Sequence, residues 1–109
     1  MKELEEKVAN RFKFLLSQHV PLYRVIIFGS RARGDADPDS DMDLLVILDG
    51  PVSADARKHV SDCAWEAGFN HGLVVSPIVV SRQSWENGPD RYSPLAQAVE
   101  EEGIEISDI

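Results

Sequence analysis

Val25-Ile26-Ile27-Phe28-Gly29-Ser30-Arg31-Ala32-Arg33-Gly34, continued after a short polar stretch by Ser40-Asp41-Met42-Asp43-Leu44-Leu45-Val46-Ile47-Leu48, decides the fold. An apolar strand runs into a Gly-Ser turn. A second apolar strand then opens with two aspartates one residue apart. Alternate residues of a strand share a face, so Asp41 and Asp43 point the same way, about 7 Å apart along the chain. Two carboxylates on one face, beside a glycine-rich turn carrying Arg31 and Arg33, suit a divalent cation and a polyphosphate.

The neighbouring segments follow from spacing. Residues 2 to 18 read as a helix, with Leu4, Val8, Phe12, Leu15 and Leu16 at helical intervals and Pro21 as the stop. Strands are expected over residues 22 to 28 and 42 to 48, and the loop between them carries a helical turn near Arg31 to Arg33. Ser53 is suited to cap a helix running to Ala67 and closed by Gly68. Its apolar stripe is Ala56, Val60, Cys63, Ala64 and Ala67, and Trp65 falls opposite. Leu73 to Val80 reads as a third strand and residues 82 to 88 as a short helix. Ser93 caps a last helix beginning at Pro94, with Leu95, Ala98 and Val99 inward and Gly103 as its stop. Glu100, Glu101 and Glu102 crowd its negative end, which predicts fraying there.

The expected order is α-β-loop-β-α-β-α-α, an α/β (α+β) fold with a small mixed sheet and flanking helices. Strand two, its crossover helix and strand three suit a parallel, right-handed unit. Gly29 closes strand one and Asp41 opens strand two, so the first pair is expected to be antiparallel. The unbroken apolar run Leu44 to Leu48 suggests a central strand covered on both faces.

The 109 residues suffice for one domain spanning 1–109 with a single core, and the 43% apolar content is that of a globular chain. A net charge of -8 argues against coating nucleic acid, whose phosphates would be repelled except at a local basic patch. A single cysteine, Cys63, excludes an internal disulfide and favours a reducing compartment. The charged start, Met1-Lys2-Glu3-Leu4-Glu5-Glu6, does not read as a signal peptide, and no stretch approaches a membrane span. The expected location is the cytoplasm.

Gly29-Ser30, ten residues, then Asp41-Met42-Asp43 resembles the signature of the nucleotidyltransferase superfamily that includes polymerase beta and kanamycin nucleotidyltransferase. The fuller run Gly29 to Gly34 with Ser40 to Leu44 is similar to its minimal branch, the MNT family. The resemblance implies a nucleotidyltransferase fold and transfer of a nucleoside monophosphate from a triphosphate to a hydroxyl acceptor. It further implies Mg²⁺ or Mn²⁺ held by catalytic Asp41 and Asp43. The nucleotide-binding positions it implies are Gly29, Ser30, Arg31, Arg33 and Ser40. It also implies a helical partner subunit of the HEPN type, towards which such a protein acts as antitoxin. Self-association is open beside that.

The bare chemistry agrees. Mg²⁺ is commonly held by one or two carboxylates plus substrate phosphates. Gly29 admits a phosphate close to the backbone, and arginines neutralise it through charge-assisted bonds. Arg31 and Arg33 have an alternative use, as ion-pair partners of Asp35, Asp37 or Asp39 in a solvated loop.

The departure from the family lies on strand three, Leu73-Val74-Val75-Ser76-Pro77-Ile78-Val79-Val80, where active members place a third carboxylate. Ser76 or Pro77 stands there instead. Glu86, on the following segment, is a candidate substitute. The gap keeps a second class in view: a nucleotide-binding or antitoxin module without turnover. Pro77 lacks an N–H and points to an edge strand or a bulge. His19, His59 and His71 show no metal-ligand spacing with Cys63. Trp65 and Phe69 share a helix face, which marks either a partner surface or packing against the first or last helix.

Overall fold

The computed structural model describes residues 3–107. A four-stranded mixed sheet is flanked by helices on both faces, in the spatial order β3-β2-β1-β4. In chain order the elements are α1 (Glu3–Ser17), β1 (Leu22–Phe28), α2 (Ser30–Arg33), β2 (Met42–Leu48) and α3 (Ala54–Phe69). They continue with β3 (Val75–Ser81), α4 (Arg82–Asn87), a 3-10 turn (Pro89–Tyr92), α5 (Pro94–Glu102) and β4 (Ile104–Glu105). Residue 2, where the expected first helix begins, lies outside the described residues.

β1 and β2 pair antiparallel, with Phe28 opposite Asp43, and β2 and β3 run parallel, with Asp43 beside Ser76. β2 is central and alternates between two cores. Met42, Leu44, Val46 and Leu48 join Val8, Phe12 and Leu16 of α1 and Ala56, Val60, Cys63, Ala64 and Ala67 of α3. Leu45 and Ile47 face the other way, toward Ile26 and Val99, with Trp85 and Leu95 packed alongside. This is why the run carries no polar alternation. Pro77 sits on β3, an edge strand, where its missing N–H leaves no ladder bond unmade.

Four details depart from the sequence-based expectations. Leu4 is exposed, so the buried stripe of α1 begins with Glu5 and Val8. α3 continues past Gly68 to Phe69. A β-carbon at Gly68 would collide with the Leu73 carbonyl oxygen, so this glycine serves close packing of the returning chain instead of helix termination. The Leu73 N–H donates to the Gly68 carbonyl, and β3 accordingly begins at Val75.

The last departure is at the C-terminal end of α5. Gly103 ends this helix as expected, but the glutamate-rich turn is tied down, and the chain goes on to add β4 antiparallel to β1. The Ser53 and Ser93 caps form as expected, their side-chain oxygens accepting from Ala56 N and Ala96 N, each worth about 1 kcal/mol.

Candidate functional site

The hairpin-like turn from β1 through α2 to β2 brings the motif together at one end of the sheet. Gly29 follows Phe28, whose strand partner is Asp43. Its backbone is left-handed, φ 78°, and a β-carbon there would overlap Asp43 Oδ2. The glycine is therefore required twice, by its torsion and by the carboxylate lying against it. Met42 and Leu44 enter the α1–α3 core, so Asp43 projects from the opposite face, the one covered further along by α5. Asp41 is exposed and Asp43 is half-buried. Burial pushes the Asp43 carboxyl up from its ordinary range, the nearby charge of Asp41 adds to this, Arg33 pulls the other way, and Glu102 adds the smallest upward push.

The two arginines separate. Arg31 is buried, and its guanidinium donates to Glu5 Oε1 at 2.8 Å, to the Ser40 carbonyl at 2.9 Å and to the Pro38 carbonyl at 3.1 Å. It clamps α1 to the polar loop, so three of its donors are already engaged within the protein where a phosphate contact is expected of it. Ser40 takes part through its backbone: its carbonyl receives Arg31, and its N–H donates to the Asp37 carbonyl. Arg33 is exposed. It pairs with Asp35 at 3.3 Å, the loop alternative foreseen for it, and with Glu102 at 2.8 Å. The Ser30 carbonyl receives the N–H groups of Gly34 and Asp35, which closes the turn. Asp35, Asp37 and Asp39 are all exposed.

Sequence reasoning missed Glu102. Its Oε2 accepts the Gly29 N–H at 2.7 Å and Arg33 Nη1 at 2.8 Å, bridging from the end of α5 to the motif turn. No local spacing signals this, because the partners lie 73 and 69 positions away. Glu86 does not fill the gap on β3. It is bound to Arg82 Nε at 2.8 Å, and Arg82 in turn reaches Asp49 beyond the far end of β2. The residue beside Asp43 on β3 is Ser76.

Among the described residues no group of three or more His, Cys, Asp or Glu side chains is arranged to hold a metal ion. A pair of carboxylates, one of them exposed, fits Mg²⁺ or Mn²⁺ that keeps waters and completes its shell with substrate phosphates. His19 and His59 stack on each other with ring centroids 4.5 Å apart and His59 lies 3.5 Å from Asp55, while exposed His71 lines a pocket with Arg31, Arg33 and Gly34. Cys63 is buried, and burial raises its thiol pKa, which makes it unreactive.

Trp65 and Phe69 stack at 4.6 Å yet remain 67% and 63% exposed, so they pack against neither α1 nor α5. With Val74 and Pro77 they line an open groove of about 470 Å³. No helix among the described residues is long and apolar enough to cross a membrane.

The sequence profile of the nucleotidyltransferase domain family matches residues 5–105. A Methanocaldococcus jannaschii protein named as a protein adenylyltransferase, MJ0604, is 33% identical over 81 residues, covering 72% of this chain and 76% of that protein. A second from the same organism, MJ0141, is 33% identical over 61 residues, covering 56% of this chain. The match spans 62% of MJ0141, less than two thirds of its length. In fold, the chain is similar to a structure of a tri-AMPylated Shewanella oneidensis HEPN toxin in complex with its MNT antitoxin. The TM-score is 0.59 at 20% identity, over the whole of this chain and 74% of that one.

Proposed function

Since the chain belongs to the nucleotidyltransferase domain family, we propose that it transfers a nucleoside monophosphate, AMP in the first instance, from a triphosphate to a hydroxyl on a HEPN-type helical partner protein. The observation that carries this reading is the convergence of Asp41, Asp43 and Gly29 at one sheet end, with Asp43 lying against the glycine that replaces a β-carbon with open backbone. The names of the relatives supply the nucleotide, and the structural neighbour supplies the class of partner.

Nucleotidyl transfer in this family generally uses divalent metal ions, and Mg²⁺ or Mn²⁺ is the ion assigned to Asp41 and Asp43 here. Bound there, it would neutralise phosphate charge. Asp41 and Asp43 orient the cation, the Gly29 N–H and Ser30 meet the terminal phosphates, and Arg33 balances their charge. The acceptor oxygen forms a bond to the α-phosphorus as the bond to pyrophosphate breaks, and the hydroxyl proton passes to solvent water. Arg31 and the Ser40 backbone hold the loop in which these groups sit. The proposed location is the cytoplasm.

A second reading is a nucleotide-binding antitoxin module without turnover. Ser76 favours it, because the position beside Asp43 offers a hydroxyl in place of a carboxylate. The exposed Trp65–Phe69 pair offers the surface such a partner would cover.

Incubation of the full chain with radiolabelled ATP, Mg²⁺ or Mn²⁺ and the helical protein recovered with it from native cells tests both. Label on the partner, lost in Asp41→Asn and Asp43→Asn, supports transfer. Partner capture that is unaffected by either substitution, with no label transferred, supports the module.

A further inference from the structure

Glu102 stands where the proposed function needs an anion. Its carboxylate takes two donors at once: the N–H of left-handed Gly29 at 2.7 Å and Arg33 Nη1 at 2.8 Å. A backbone amide presented by a glycine and an exposed guanidinium are the donors a terminal phosphate would use.

The glutamate is held there by its surroundings. The Gly103 N–H bonds to the Val99 carbonyl, and Gly103 lies so close to Ile26 that a β-carbon would collide with it. Immediately beyond, β4 pairs with β1, the Ile106 N–H donates to the Val25 carbonyl, and Glu105 pairs with Arg24 at 2.7 Å. The corner between α5 and β4 therefore presses one carboxylate into the motif turn.

We infer that Glu102 is a built-in phosphate mimic, an autoinhibitory latch that must leave the Gly29–Arg33 seat before a polyphosphate can enter. The inference rests on the nucleotide-binding reading and adds its regulation. Affinity for a triphosphate is then reduced by the fraction of time the seat is free. A seat open one-tenth of the time weakens binding about tenfold. Entry of the polyphosphate also loosens the corner, so ligand and β4 pairing oppose one another. A partner that holds the end of α5 outward would switch the site on.

The experiment is calorimetric titration of inorganic tripolyphosphate, and separately of ATP with Mg²⁺, into the wild-type chain, Glu102→Gln, Glu102→Ala and the neighbouring control Glu101→Gln. Thermal unfolding shows that each variant is folded. Both Glu102 variants are expected to bind about tenfold tighter than the wild type, with Glu101→Gln unchanged. In the wild type, saturating tripolyphosphate is expected to speed amide hydrogen exchange at Ile104 to Ile106, while the Gly29 amide, taken over by the phosphate, stays protected.

Equal, saturable binding in all four proteins overturns the latch and leaves the nucleotide site standing. Weaker binding in the Glu102 variants, confined to the Mg²⁺ titration, also overturns it and makes Glu102 a metal-side residue. No binding in any protein removes the nucleotide site itself, and the latch with it. If the Glu102 variants prove unfolded, the exchange measurement on the wild type decides: faster exchange supports the latch, and unchanged exchange at saturation overturns it.

Discussion

The two faces of the sheet are built differently. The face toward α1 and α3 is a dense core, closed by Phe12, Leu16 and the small-residue stripe of α3. Among the described residues, the face toward α4 and α5 buries Ile26, Leu45, Ile47 and Val99, and leaves its end to Asp43, Arg33 and Glu102. The first face sustains the fold, and the second spends apolar cover to keep charged groups near water. Arg31 and Arg33 repeat the contrast within one turn of helix. The first is buried against Glu5, and the second is exposed against Glu102.

The comparison can be broken most severely at the dense face. Phe12→Ala is expected to destabilise the protein by about 3–5 kcal/mol, read from chemical denaturation. Arg31→Ala belongs in the same range, about 3–5 kcal/mol, because it strands a buried Glu5 carboxylate. Arg33→Ala, at an exposed pair, is expected to cost less than about 1 kcal/mol. Equal losses for the two arginines would erase the distinction drawn between them.

The polar end should show the reverse pattern. Asp41→Asn and Asp43→Asn are each expected to lower nucleotidyl transfer about a hundredfold or more, with the cooperative unfolding transition retained. Val99→Ala, on the thin face, is expected to cost about 1.5 kcal/mol, the value for two buried methyl groups. A loss as large as that of Phe12→Ala would mean that this face carries the fold as well.

The smallest effect is a pH dependence. The carboxyl of Asp43 is raised in the folded state, so the native protein binds that proton more tightly than the unfolded chain does. Stability from this group is full below the ordinary carboxylate range and is lost as pH rises through the raised value. Asp43→Asn is therefore expected to melt a few degrees higher than the wild type at pH 7, with the difference vanishing below about pH 4. Melting curves at the two pH values check it, and a lower melting temperature for the variant at pH 7 would contradict it.

Much of this was legible in the chain. The strand limits at Leu22–Phe28 and Met42–Leu48, the antiparallel first pair and the serine caps follow from spacing and turn chemistry. The outward turn of Asp43, between Met42 and Leu44 of the core, was readable for the same reason, since a strand alternates every two residues. Pro77 pointed to an edge strand or a bulge because its missing N–H cannot join a ladder, and β3 is an edge strand. Gly68 misled because a glycine near a helix end normally signals termination, and its use for contact with Leu73 is a tertiary matter. β4, at two residues, is too short to carry a pattern.

By itself the sequence determined the central strands, the acidic pair and the glycine turn that faces it, because these depend on neighbours within a few positions. Only the tertiary structure decided that Arg31 is buried while Arg33 stays exposed and pairs with Glu102, that Ser76 stands beside Asp43, and that Glu102 closes on Gly29. Those outcomes depend on contacts between segments far apart in the chain, and a local period carries no record of which distant charge will fill a given donor.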